Sequence, residues 1–367
     1  MERNSSVELG ITSWSPSQEN NNWVKIDALA YDIETYYLWA ILALGFPGNC
    51  FTIITIIRMS PPRSLTVYIA LLAIVDNLAI VNKLLMFVLT DNGVQVGTFG
   101  CKFLGFFGNF LITYGNWLLV GLSVERFAAV WFPFQIGKIW TFRKSLTVVM
   151  SITLPLVGLF LHLFWTMDYR YYASTKSVFC KINEKYIYFM VHVWYWINVL
   201  VYAVVPCVLL LVFNLLIIVG IVNSTKTHRY LNRSGSNSDA NAPADRQRQI
   251  TIMLVTSAIT LVVLTTPRCV LLIMSPYLNP PNKSMEGAVL YLIDTIAYIL
   301  CDSTHAINFY LYSLSARRFR CQFLEFCCKR KSANVSSQYI SMCSRPVHNS
   351  TQWPHSADTE LHLKSEE

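Results

Sequence analysis

Along this chain apolar residues run in long blocks separated by short polar stretches, and the blocks are too long for strands. The hydrocarbon core of a bilayer is about 30 Å thick and takes roughly 20 mostly apolar helical residues to cross. Seven blocks reach that length: Tyr36 to Ile57, Leu65 to Leu89, Phe103 to Val130, Leu146 to Trp165, Phe189 to Val222, Ile250 to Met274 and Val289 to Tyr312. The pattern predicts an all-α protein, a seven-transmembrane helix bundle. An odd number of crossings puts the two ends of the chain on opposite sides. Below the last block, SARRFRCQFLEF repeats Phe319, Phe323 and Phe326 at helical spacing, which predicts a short amphipathic helix on the membrane surface with these rings toward lipid. Three parts follow: an extracellular N-terminal segment over residues 1–34, the seven-span domain with its amphipathic helix over 35–330, and a cytoplasmic tail over 331–367.

Orientation is read from Lys and Arg near the span ends, since short cytoplasmic loops retain positive charge. One face carries Arg58 and Arg63, then Lys138, Arg143 and Lys144, then Lys226, Arg229, Arg233, Arg246 and Arg248, with Arg317, Arg318, Arg320, Lys329, Arg330 and Lys331 after the last span. The opposite face has Arg170, Lys176, Lys181 and Lys185 in the loop after span four. The N-terminus is therefore expected outside and the C-terminus in the cytoplasm of a plasma-membrane protein. This asymmetry accounts for the net charge of +8 and leaves no need for a nucleic-acid partner. Composition agrees: 54% of residues are hydrophobic and 14% charged, against about 25% charged in a soluble domain. The N-terminal stretch lacks the apolar core of a cleavable signal peptide, so span one is expected to be its own insertion signal.

Of the ten cysteines, Cys101 and Cys180 fall at the outer face, where an oxidising exterior favours their pairing. Cys50, Cys207, Cys269 and Cys301 lie within spans and read as small packing residues. Cys327 and Cys328 follow the amphipathic stretch and are candidates for acylation. Sequons at Asn4 and Asn282 lie on the outer face and are candidates for glycosylation. The linker between spans five and six (STKTHRYLNRSGSNSDANAPADRQRQ) and the tail are polar and Ser-rich, which predicts disorder and offers hydroxyls for phosphorylation. No metal-spaced His cluster, phosphate loop or paired carboxylates occur. No enzyme, metal or cofactor is expected.

Charges inside spans cost roughly 2.5 to 3.5 kcal/mol each on insertion scales and so call for a reason. Here they are Asp76, Lys83, Glu125, Arg126, Arg268, Asp294 and Asp302, with the amides Asn49 and Asn308. Taken in order, GN at Asn49, LAIVD at Asp76, Cys101, ERF at Glu125 to Phe127, Pro133, Pro206, Pro267 and NFYLY from Asn308 to Tyr312 resemble the rhodopsin-like (class A) G-protein-coupled receptors. The resemblance covers about residues 35 to 330. AINFYLY is similar to invertebrate neuropeptide receptors of the FMRFamide type and to related orphan receptors.

The resemblance implies a receptor that binds an extracellular ligand, most plausibly a neuropeptide and alternatively a small aromatic amino acid, and that activates a heterotrimeric G protein. It implies a switch built from Asn49, Asp76, Pro206, Pro267, Asn308 and Tyr312, with Glu125 holding Arg126 until the bundle opens toward the G protein. Receptor kinases and arrestin at the tail, and membrane lipids around the bundle, are further implied partners. The chain departs from the family pattern at Phe309 (usually Pro), Thr265 (usually Trp), Asn214 (usually Tyr), and at Gly115 and Thr304 beside Asp76, where relatives carry a sodium site.

For ligand binding, Lys83 lies about two helical turns outward of Asp76 and is expected to pair with Asp302, while Arg268 is expected to meet Asp294. Asn109, His192, Trp196, Asn198 and Tyr298 complete a pocket part aromatic and part polar. The loop MDYRYYASTKSVFCKINEKYIYF is a candidate β-hairpin and landing surface for a peptide. A seven-span transporter is the competing class, but spans one to three show no repeat in spans five to seven. A receptor fold without G-protein coupling is the third reading.

Overall fold

The computed structural model describes residues 22–58, 64–133, 135–136, 140–172, 177–232, 242–278, 281, 284–315 and 317–328, with side chains at 170–172, 177–179, 224–232, 242–250, 253, 317–318 and 325–328 set aside. Among the described residues, seven helices are long and apolar enough to cross a membrane: Asn22–Arg58, Ser64–Asp91, Gly97–Trp131, Phe142–Thr166, Glu184–Asn223, Leu254–Tyr277 and Met285–Ser315. The bundle is inverted relative to a soluble protein. Leu154, Leu215 and Val263 stand more than 60% exposed, whereas Asn49, Asp76 and Glu125 are at most 2% exposed. Polar groups in hydrocarbon need partners within the protein, so the buried amides and carboxylates mark where the spans meet.

Several boundaries differ from the sequence expectation. Span one is helical from Asn22, so much of the segment expected to be extracellular and separate belongs to the first helix. Its 37 residues amount to about 55 Å at 1.5 Å per residue, well beyond the hydrocarbon thickness. The charged residues Lys25, Asp27, Asp32 and Glu34 lie on this extension. The linker expected to be disordered is helical up to Asn232 and again from Ala242. Asn4, Asn282 and the tail lie outside the described residues, as do the side chains of Cys327 and Cys328.

Local rules explain the helix ends. Thr141 caps span four by accepting the Lys144 N–H at 3.4 Å, and Ser284 caps span seven by accepting the Gly287 N–H at 3.0 Å; side-chain oxygens of this kind satisfy amides that have no intrahelical partner. At the other end of span seven, Arg320 donates to the carbonyls of Ser313 and Leu314 at 3.0 and 2.8 Å. Arg320 thus closes the last turn of the span. The helix Arg317–Cys328 that follows turns its rings inward. Phe319 is 5% exposed and Phe323 packs on Phe51 and Phe309, which corrects the expectation that both face lipid; Phe326 lies among the side chains not described.

Spans one and seven approach closely because span one offers glycines. A Cβ on Gly45 would lie 2.9 Å from the Cβ of Ala306 and 2.7 Å from Ile80, and one on Gly48 would lie 3.2 Å from Phe309. Phe309 uses that space to meet Phe51 at a tilt and Phe319 and Phe323 edge-on.

Span five is irregular. Its helix contains two π-turns, Met190–Trp194 and Leu200–Val204, the second just before Pro206. Proline removes an amide and clashes with the preceding turn, leaving carbonyls open. Span three supplies the missing donors: Asn116 Nδ2 to the Tyr202 carbonyl at 2.9 Å and Trp117 Nε1 to the Val201 carbonyl at 3.0 Å.

Between spans four and five, β1 (Met167–Tyr172) and β2 (Ser177–Ile182) form an antiparallel hairpin with Tyr169 opposite Cys180. A disulfide joins Cys180 to Cys101 at the start of span three. The hairpin is thereby tied over one end of the bundle, which matches the sequence expectation.

Candidate functional site

Three polar clusters lie along the bundle axis. At the hairpin end, five of the predicted ligand residues come together. Lys83 pairs with Asp302, and Arg268 with Asp294. Tyr298 joins the two pairs: the Lys83 Nζ lies 4.7 Å and the Arg268 guanidinium 3.8 Å from its ring centroid, and Arg268 also donates to its hydroxyl. Such cation–ring contacts are worth about 0.5 to 2 kcal/mol. Tyr37 completes the set by donating to Asp302 Oδ2 at 2.9 Å. The inner carboxylate is the more enclosed, with the Asp302 side chain 8% exposed against 36% for Asp294, while Lys83 at 29% is more open than Arg268 at 14%. The network is therefore graded from a wet outer carboxylate to a dry inner one.

Among the described residues, the other four candidates make their contacts outside this network. Asn109 donates to the Gly105 carbonyl of its own helix at 2.8 Å. His192 bonds the Tyr188 carbonyl at 3.2 Å and stacks on the Tyr188 ring, and Trp196 meets Tyr195 edge-on. Asn198 sits half-buried on the same span. Span five presents these residues separately because its π-turns rotate the face that regular helical spacing would assign.

At mid-bundle, Asp76 is held on both oxygens. His305 Nδ1 reaches Oδ1 at 2.8 Å and Asn308 Nδ2 donates to Oδ2 at 2.9 Å. Asn49 donates to the Asn77 side chain at 3.1 Å and to the His305 carbonyl at 2.9 Å, locking spans one, two and seven. Gly115 leaves Asp76 a wall without a side chain: a Cβ there would sit 3.9 Å from Oδ1. One turn further along span seven, the Tyr312 hydroxyl is buried and has no hydrogen-bond partner among the described residues, a state that favours a rearrangement offering one. Thr265, in the place of the expected Trp, bonds back to the Leu261 carbonyl at 2.8 Å. Pro267 lies inside that helix.

At the far end, Glu125 and Arg126 form a buried ion pair at 3.1 Å, and Ser64 donates to the same glutamate oxygen. Asn214 directs its amide to the Leu210 carbonyl at 2.6 Å, the usual local use of an amide within a helix.

The order of these clusters, bound by one disulfide and seven spans, is that of a known receptor architecture, and comparison with protein families decides the matter. The family described as 7 transmembrane receptor (rhodopsin family) matches residues 48–312, well over half of the chain. The chain belongs to that family. Rhodopsin of Scyliorhinus canicula is 29% identical over 168 residues, covering 42% of this chain and 44% of that protein. Rhodopsin of Alligator mississippiensis is 30% identical over 141 residues, covering 35% of this chain and 39% of that protein. The matched stretch thus spans less than half the length of either relative. The family is one of receptors, not enzymes or transporters, and the chain is a multi-pass membrane protein.

Sequence reading missed Tyr37, Ser64, Asn77 and His305. The rule that exposed Lys83, a titratable group inside an apolar span, applies equally to His305. Tyr37 and Ser64 carried no signal, since a Tyr or Ser near a span end is unremarkable until its partner is known.

Proposed function

We propose that this rhodopsin-family member is a G-protein-coupled receptor of the plasma membrane, with its N-terminus outside, and that its ligand is an extracellular peptide. The observation that carries the reading is the opposition of two charged clusters across one bundle: the Lys83, Asp302, Arg268 and Asp294 network beneath the hairpin, and the Glu125–Arg126 pair at the other end. A peptide's charged groups exchange partners with the first, and the peptide's length rests on the aromatic hairpin. Release of Arg126 from Glu125 then presents a cation to the G protein. The Ser-rich tail serves receptor kinases and arrestin.

A second reading, a free aromatic amino acid as ligand, is favoured by one feature: both cations lie over the single ring of Tyr298, a compact site for one carboxylate and one ring. Calcium mobilisation in cells expressing the chain with a promiscuous G protein tests both. The library holds amidated neuropeptides and free aromatic amino acids, with Arg126→Ala as control. A dose-dependent response to a peptide, lost in the control, supports the first reading; a response to Trp or Phe supports the second. Silence at confirmed surface expression counts against G-protein coupling.

A further inference from the structure

His305 was not among the residues assigned a role, yet it sits between the outer network and the mid-bundle cluster. Its ring contacts Asp76 at 2.8 Å. On the same helix, Asp302 precedes it by three residues, the spacing that places two side chains on one face. A small cavity lies alongside, with apolar walls that include Ile41, Ile80 and Ile112 and a polar lining of Lys83, Asp302 and His305. The imidazole thus has one buried carboxylate in hand, a second on its own helix face, and beside it a space that the second, Asp302, also lines.

The geometry points to His305 as the transmission residue between ligand and switch: when a ligand group draws Lys83 away, the imidazole leaves Asp76 for Asp302. The driving force is the buried charge. Asp302 is 6% exposed and holds two partners, Lys83 and Tyr37; removal of Lys83 leaves an enclosed carboxylate with one neutral donor. A buried carboxylate left without its cation is strongly destabilised, so a donor that can turn toward it lowers the energy. His305 is placed to be that donor, and its departure releases one oxygen of Asp76, whose other oxygen holds Asn308. Because the His305 carbonyl also receives Asn49, a shift of the ring is felt where spans one, two and seven are joined. The inference rests on reading the Lys83 end as the ligand side.

The test is nitrogen-15 NMR of histidine-labelled, full-length receptor in lipid nanodiscs, with the His305 signals assigned by their loss in His305→Asn. Lys83→Ala imitates a ligand that removes the lysine. The expected result is a resolved displacement of the His305 ring signals in Lys83→Ala that reverts toward the wild-type position in Lys83→Ala/Asp302→Asn. Lys83→Gln replaces Lys83→Ala if the latter does not fold. Signals that stay in place in the single variant, or that move equally in the double variant, overturn the relay. Agonist-free nucleotide exchange on a G protein is measured in parallel: Lys83→Ala raises it several-fold, and adding His305→Asn removes the rise. If the ring moves while exchange stays flat in every variant, the relay stands and the G-protein reading fails.

Discussion

Pro206 lacks the amide that would serve the Tyr202 carbonyl in a regular helix, and span three donates to the carbonyls there. Asn116 serves Tyr202 and Trp117 serves Val201. Replacing Asn116 by Leu keeps volume and removes the donor, orphaning the Tyr202 carbonyl inside the bundle. An unsatisfied buried group costs about 1 to 3 kcal/mol, while side-chain hydrogen bonds between membrane helices average about 0.6 and reach about 1.7 kcal/mol. We take about 1 to 1.5 kcal/mol, which is about 2 to 6 °C in apparent melting temperature at about 2 to 4 °C per kcal/mol. The decisive step is a double-mutant cycle with Pro206→Ala, which restores an amide four residues after Tyr202. In that background Asn116→Leu should lose most of its cost, because the carbonyl regains a backbone donor. Thermal unfolding of detergent-solubilised receptor reads all four corners of the cycle. An equal cost of Asn116→Leu with and without Pro206 would refute the claim that the proline creates the demand which Asn116 meets.

Lys83→Met should lower stability by about 2 to 3 kcal/mol, below the about 3 to 5 kcal/mol of a fully buried pair because the lysine side chain is 29% exposed. Lys83→Met/Asp302→Leu should recover part of that loss in the same melting assay, since it leaves no orphaned charge. Charge reversal by Asp302→Lys should cripple ligand response at normal surface expression, measured by cell-surface labelling beside calcium release. Gly45→Leu should abolish surface expression, because its Cβ alone would come within 3.0 Å of the Ala306 backbone; Gly158→Leu, whose Cβ meets nothing within 4 Å, should be tolerated. Cys101→Ser, Cys180→Ser and the double variant should lose surface expression to the same extent, as expected for one bond rather than two independent thiols.

Much of the architecture is legible because a bilayer reduces the choice of structure to length and polarity. Asp76, Lys83, Glu125, Arg126 and Asp302 announced themselves as charges in apolar runs, and the Lys83–Asp302 and Arg268–Asp294 contacts follow from placing opposite charges at one depth. The start of span one at Asn22 was hidden because Lys25, Asp27, Asp32 and Glu34 interrupt the apolar run there. The inward turn of Phe319 and Phe323 was hidden because a ring at helical spacing looks the same whether lipid or Phe51 covers it. The irregularity of span five came from π-turns at Met190–Trp194 and Leu200–Val204, which periodicity assumes away. His192 and Trp196, expected to complete the same pocket, lie on and just after the first of these turns and contact Tyr188 and Tyr195.

The most direct test of the account needs no ligand. Purified receptor in nanodiscs is mixed with a heterotrimeric G protein and guanine-nucleotide exchange is followed for wild type, Glu125→Gln and Glu125→Gln/Arg126→Ala. Removing the charge on Glu125 frees Arg126 from the pair at 3.1 Å, so exchange should rise several-fold in the single variant and return to background in the double. Exchange that is unchanged by Glu125→Gln, at equal amounts of folded receptor and across the G-protein classes, would contradict the assignment of this end of the bundle to G-protein coupling.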